Sequence, residues 1–175
     1  MVTRYPLAPM DGMLRALTWI CVAIPVVLGL AAARMPMPVR TILFGVAGVT
    51  AAVYVFIWLW MRPTAFVIDP EGLVIEWPLR RRRVDAAAVA AARILDRVQL
   101  RSELGRMMRI GAGGLGGGFG LASTARGLVE LWVSRTDWMV FVECTGRRSL
   151  LITPEAPEGF VRELGSRAAA HRSGT

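Results

Sequence analysis

Two uncharged apolar runs open the chain, and beyond residue 62 the pattern changes to short alternating segments. Thr41 to Met61 is 21 residues without a charge. A helix of that length rises about 1.5 Å per residue and covers the ~30 Å hydrocarbon core of a bilayer. Tyr54, Trp58 and Trp60 gather towards its end, and Arg62 and Pro63 close it. Amphipathic rings followed by a cation mark a membrane–water boundary. Ala16 to Ala33 is a second uncharged run of 18 residues with Pro25 in its middle. A membrane helix tolerates such a kink when neighbours satisfy the freed carbonyl. The competing reading is a signal peptide, with Ala31 and Ala33 as an A-x-A site, but the run is longer than a usual leader's apolar part. The pattern therefore predicts a transmembrane hairpin, 16–33 and 41–61, with a loop at 34–40 and a polar lead at 1–15.

After Arg62 the hydrophobic period is that of strands. Thr64–Ile68 and Leu73–Trp77 flank Asp69-Pro70-Glu71-Gly72, where Pro second and Gly fourth suit a type I turn. Leu73, Ile75 and Trp77 share one face of the second arm, and Val74 and Glu76 the other. Leu128–Val133, Trp138–Cys144 and Ser149–Ile152 read as three further strands, separated by Thr136-Asp137 and Thr145-Gly146-Arg147. Thr153 is expected to cap a terminal helix with Pro154 at its first position. Phe160, Val161, Leu164 and Ala168 form that helix's apolar stripe. Asp85 to Arg106 is ambiguous: its alanines favour a helix, Val89 to Leu95 reads equally as a strand, and Gly105 ends whatever precedes it. Strands closed by one helix make an α+β domain.

Composition narrows the chemistry. The formal net charge is +8, and all 21 basic residues are Arg. Without Lys there is no P-loop and no Schiff-base chemistry. The single His171 removes His-based triads and multi-His metal sites. Cys21 lies in an apolar run and Cys144 in a strand, a poor basis for a disulfide framework. Arg34 and Arg40 stand against Arg4, Arg15, Arg62 and Arg80 to Arg83, so the positive-inside rule predicts both termini in the cytoplasm.

Three segments, FVIDPEGLVIEW at Phe66–Trp77, RIGAGGLGGGFG at Arg109–Gly120 and LITPEAPEGFVREL at Leu151–Leu164, resemble the bacterial PH-like (pleckstrin-homology-like) domains that follow transmembrane helices. With the strands between them they cover nearly all of Thr64 to Leu164, within a domain placed at 64–170. The resemblance implies a bent seven-stranded β-sandwich or partly open barrel capped by a C-terminal α-helix, and it favours a strand at Val89 to Leu95. It implies binding of lipid head groups, peptides or proteins, and no reaction. The loop used by inositide-binding relatives is here the tight, acidic Asp69 to Gly72, so that type of site is not expected.

Two stretches are candidate sites. Gly111, Gly113 and Gly116 satisfy G-x-G-x-x-G, yet Gly117-Gly118-Phe119-Gly120 is a poor helix start and no βαβ pattern surrounds it. The expectation for Gly111, Gly113, Gly114, Gly116, Gly117, Gly118 and Gly120 is a structural turn or bulge anchored by Phe119, with no nucleotide and no cofactor. Arg80, Arg81, Arg82 and Arg83, with Arg62, form an exposed basic patch that is a solvated loop, a site for anionic membrane lipid, or a surface for a protein partner. Nucleic acid is not expected, since Arg62 to Thr175 carries 17 Arg against 12 acidic residues and is tethered. Glu76, Glu130 and Glu143 are expected to face solvent, and no residue is assigned a catalytic or metal-binding role. The expected function is a non-enzymatic protein of a bacterial inner membrane that presents a cytoplasmic PH-like domain for protein binding or as a subunit of a membrane complex, or alternatively senses anionic head groups through Arg80 to Arg83.

Overall fold

The polar lead is not a free tail. In the computed structural model, which describes residues 2–173, Thr3–Pro6 is a strand, β1. Asp11 then caps the first helix, α1 (Gly12–Ala32), its Oδ1 accepting from Leu14 N at 2.8 Å. The second helix, α2 (Val39–Phe56), continues through a π-helical turn at Ile57–Met61. The two apolar runs thus become helices that begin a few residues earlier than their uncharged stretches. Both are long and apolar enough to cross a membrane, and little of either is buried by the rest of the protein.

Three strands follow: β2 (Ala65–Asp69), β3 (Gly72–Glu76) and β4 (Arg81–Asp85). They pair antiparallel with β1 outermost, in the order β1-β2-β3-β4. At the β2–β3 turn Asp69 Oδ1 accepts from the backbone N–H groups of Glu71 and Gly72. The arginine run expected as a loop is therefore largely an edge strand. Its Glu76↔Arg81 and Val74↔Arg83 register sets arginines opposite or next to acids on β3 and the turn.

The ambiguous stretch turns out to be strand and helix in succession. A 3-10 turn at Ala86–Ala88 leads to β5 (Val89–Leu95), and α3 (Arg97–Leu104) follows. Asp96 and Gln99 form a reciprocal capping box at the start of α3, and Gly105 with φ +68° ends it. The rest of the sheet is β6 (Met108–Gly113), β7 (Gly118–Thr124), β8 (Gly127–Val133), β9 (Met139–Cys144) and β10 (Leu150–Ile152). Their order is β5-β9-β10-β8-β7-β6, with β10 parallel to β8 and the other neighbours antiparallel. The described residues hold ten strands rather than seven, and four of them come from the lead, the arginine run and the two arms of the glycine-rich segment.

The terminal helix, α4 (Pro157–Ser173), begins later than expected, with Pro157 and not Pro154 at its first position. The lead claims the intervening residues: Ala8 N donates to Thr153 O and Glu155 N to Pro6 O. The Thr153 hydroxyl is buried and accepts from Ser134 N at 2.9 Å. Between the sheets lies one core, with Phe66, Ile68, Ile75, Val140, Val142 and Ile152 meeting Phe160 and Leu164 of α4. Each fully buried side chain of this kind contributes about 2 kcal/mol. A second core, including Leu100, Leu104, Val129, Leu131, Phe141 and Leu151, lies between the six-stranded sheet and α3. The result is an α+β fold: a helical hairpin followed by a double sheet with a C-terminal helix.

Candidate functional site

The glycine-rich segment is the hairpin β6–β7, with its turn at residues 114–117. It is strand–turn–strand, so no helix follows Gly116 to aim its N-terminus at a phosphate. Gly111, Gly114, Gly116, Gly117 and Gly120 have positive φ, whereas Gly113 and Gly118 do not. Phe119 is buried in the core between the sheets.

The tip of this hairpin sits against the two apolar helices. Thr18 Oγ1 of α1 accepts from Gly116 N at 2.9 Å and lies 3.0 Å from Gly114 O. A Cβ on Gly114 would come within 3.1 Å of Leu17, and one on Gly116 within 3.1 Å of Arg62. Between those glycines Leu115 joins Val22, Pro25, Tyr54 and Trp58 in lining an apolar cleft of about 390 Å³. Asp11 adds a second fastening, its Oδ2 accepting from Thr136 N at 3.0 Å and Thr136 Oγ1 at 2.8 Å. Burial alone would raise the Asp11 carboxyl, but bonds from Leu14 and Thr136 and the charge of Arg97 hold it below the usual value. The hairpin and the double sheet are thereby joined at both helix ends nearest the domain.

Arg80 to Arg83 do not act as one patch. Arg81 pairs with Glu76 at 3.0 Å, and Arg4 of β1 reaches the same carboxylate at 3.2 Å. Arg82 makes a bidentate pair with Glu130, at 2.7 and 2.8 Å. Arg83 pairs with Asp69 at 2.8 Å and also with Glu71. Glu130, expected in solvent, is 6% exposed and also accepts from Trp132 Nε1. Both faces of β8 are covered: Val129, Leu131 and Val133 face α3, so Glu130 and Trp132 face the other sheet. Glu76 is likewise half-buried and shared by two arginines. Glu143 is held by Arg93 at 3.0 Å, while a stronger bond to Glu103 pushes the Arg93 guanidinium up from its ordinary value.

Arg80 and Arg62 have no carboxylate partner among the described residues. Arg80 lies over the Trp77 ring at 4.2 Å, and Arg62 over Trp58 at 4.5 Å. Trp77 Nε1 in turn donates to Met61 O, so both stacked arginines stand where α2 meets the sheet. Burial and then the charge of Arg82 push the Arg80 guanidinium below its ordinary value.

One open edge of the domain was not read as an edge strand in the sequence. β6 ends the six-stranded sheet and pairs with β7 on one side only. Its Met108 and Ile110 are 67% and 51% exposed. Beside its start a groove of about 1080 Å³ runs between α3 and the beginning of α1. Arg97, Arg101, Arg106 and Arg109 line it with Met107 and Met139 among others. Arg97 is engaged with Thr136 near Asp11. Arg101, Arg106 and Arg109 have no carboxylate partner among the described residues. One signal was available: Arg97 and Arg101 are one helical turn apart, and no Asp or Glu occurs between Glu103 and Glu130.

Comparison with known proteins matches the family model described as the bacterial PH domain over residues 64–168. Neither the curated proteins nor the solved structures yield a match.

Proposed function

The chain belongs to the bacterial PH domain family, and on that premise we propose that it is a non-enzymatic inner-membrane protein whose cytoplasmic PH domain binds a protein partner. The hairpin fits a membrane anchor by length and composition. The imbalance of arginines around it supports a cytoplasmic domain. The observation that carries the partner reading is the free edge of β6 with exposed Met108 and Ile110. An open row of backbone donors and acceptors beside apolar side chains is a surface that stable proteins ordinarily blunt, and strand addition uses it.

The lipid alternative contracts to Arg62 and Arg80, since Arg81, Arg82 and Arg83 are neutralised within the fold. Two cations near an anionic surface contribute about 2 kcal/mol together, enough to assist anchoring. One experiment addresses both readings. The full chain, tagged and cross-linked in native membranes, is purified beside a Met108→Glu/Ile110→Glu variant and an Arg62→Gln/Arg80→Gln variant. The proposal expects protein partners to be lost from the first variant; an unchanged partner set contradicts it. Unchanged anionic phospholipid in the second variant removes the lipid reading.

A further inference from the structure

We infer that the β6 edge and the neighbouring groove together take an extended acidic segment of a partner protein, in which carboxylates alternate with apolar side chains. This inference rests on the protein-partner reading above and specifies the partner's chemistry. Successive side chains on a strand point to opposite faces. Arg109 lines the groove, so Met108 and Ile110, its neighbours on either side along the strand, belong to the opposite face. A strand added along β6 meets the guanidinium groups of Arg101, Arg106 and Arg109 with every second side chain. Its intervening side chains meet Met108 and Ile110. Carboxylates on the first set form charge-assisted bonds with groups that have no carboxylate partner among the described residues. Small apolar residues on the second set cover surface that water now touches.

Other occupants match less well. A phospholipid can satisfy the arginines but supplies no donors and acceptors for the open backbone of β6. A second copy of the chain paired through β6 would add further arginines to this edge and no acid, since residues 104–129 contain neither Asp nor Glu.

The test uses the full chain in phosphatidylcholine nanodiscs and a labelled short peptide of alternating Glu and Val. Binding is followed by fluorescence anisotropy, and β6 by amide hydrogen exchange. The Glu-Val peptide should bind in a salt-sensitive manner and slow exchange at Met108 to Ala112. Arg101→Gln/Arg106→Gln/Arg109→Gln, three exposed substitutions, should weaken binding about tenfold, as three surface ion pairs together allow. Failure of the Glu-Val peptide to bind, or binding without protection of β6, overturns the inference. So does equal affinity for a Gln-Val peptide or an unaffected triple variant. Protection of β6 by phosphatidylglycerol in the disc, with none from peptide, overturns it in favour of lipid. If Gln-Val and Glu-Val protect β6 equally, the acidic specificity is wrong while the partner reading stands. That reading falls separately, when the Met108/Ile110 variant keeps its native partners.

Discussion

Glu130 shows what alternation along a strand conveys and what it withholds. The sequence places Val129, Leu131 and Val133 on one face of β8 and Glu130 and Trp132 on the other, and the structure agrees. Alternation alone could not say that the second face is also covered, because the opposing sheet is supplied by residues more than 40 positions away, Arg82 among them. A carboxylate enclosed in this way is tolerable only while its guanidinium partner remains. Arg82→Gln should therefore destabilise the protein by about 2 kcal/mol, the buried-pair cost reduced for the partial exposure of the arginine. Arg83→Gln, whose side chain is 46% exposed, should cost at most about 0.5 kcal/mol. Denaturant unfolding of the two variants in detergent checks the difference. Equal stabilities would mean that the Arg82–Glu130 bond does not hold the sheets together.

At the scale of elements, the glycine-rich segment was legible as a turn that needs unusual backbone, but its two arms were not legible as strands. Glycines carry no side chains to alternate, so neither a period nor a β-propensity announces β6 or β7. β7 is placed instead by β8, whose residues Leu128 to Val133 run alongside Ser123 to Gly118, and β6 pairs in turn with β7. The same segment separates two kinds of glycine. Gly117 has φ +150°, and a Cβ there would lie 2.1 Å from Val133 O, whereas Gly113 has open space around it and ordinary φ. Gly117→Ala should lower stability by about 2 kcal/mol or more, while Gly113→Ala should change it by less than about 0.5 kcal/mol. Thermal unfolding compared with the parent reads both. A tolerated alanine at 117 would contradict the close packing of the turn against β8. The terminal helix is misplaced by a few residues for a related reason: the bonds that delay it come from Pro6 and Ala8 at the other end of the chain.

For the whole molecule, the apolar runs and the family resemblance gave the order of parts, hairpin then PH domain, without the joints between them. Those joints depend on single polar atoms, Thr18 Oγ1 against the glycine turn and Asp11 Oδ2 against Thr136. Neither residue stands out within its own stretch of sequence. Together with β1, which carries the lead into the same sheet as β2, they put both helix ends at one face of the domain. If the hairpin crosses the membrane, lead and domain must then lie on the same side, which the proposal, from the arginine count, takes to be the cytoplasm. The arrangement leaves the β6 edge beside the start of α1. The most direct measurement is cysteine accessibility in intact spheroplasts, using chains in which Cys21 and Cys144 are replaced by Ala. With a membrane-impermeant maleimide, Met37→Cys should label at once and Arg148→Cys only after permeabilisation. Labelling of Arg148→Cys in intact cells with Met37→Cys protected, or equal labelling of both, would contradict an anchored cytoplasmic PH domain.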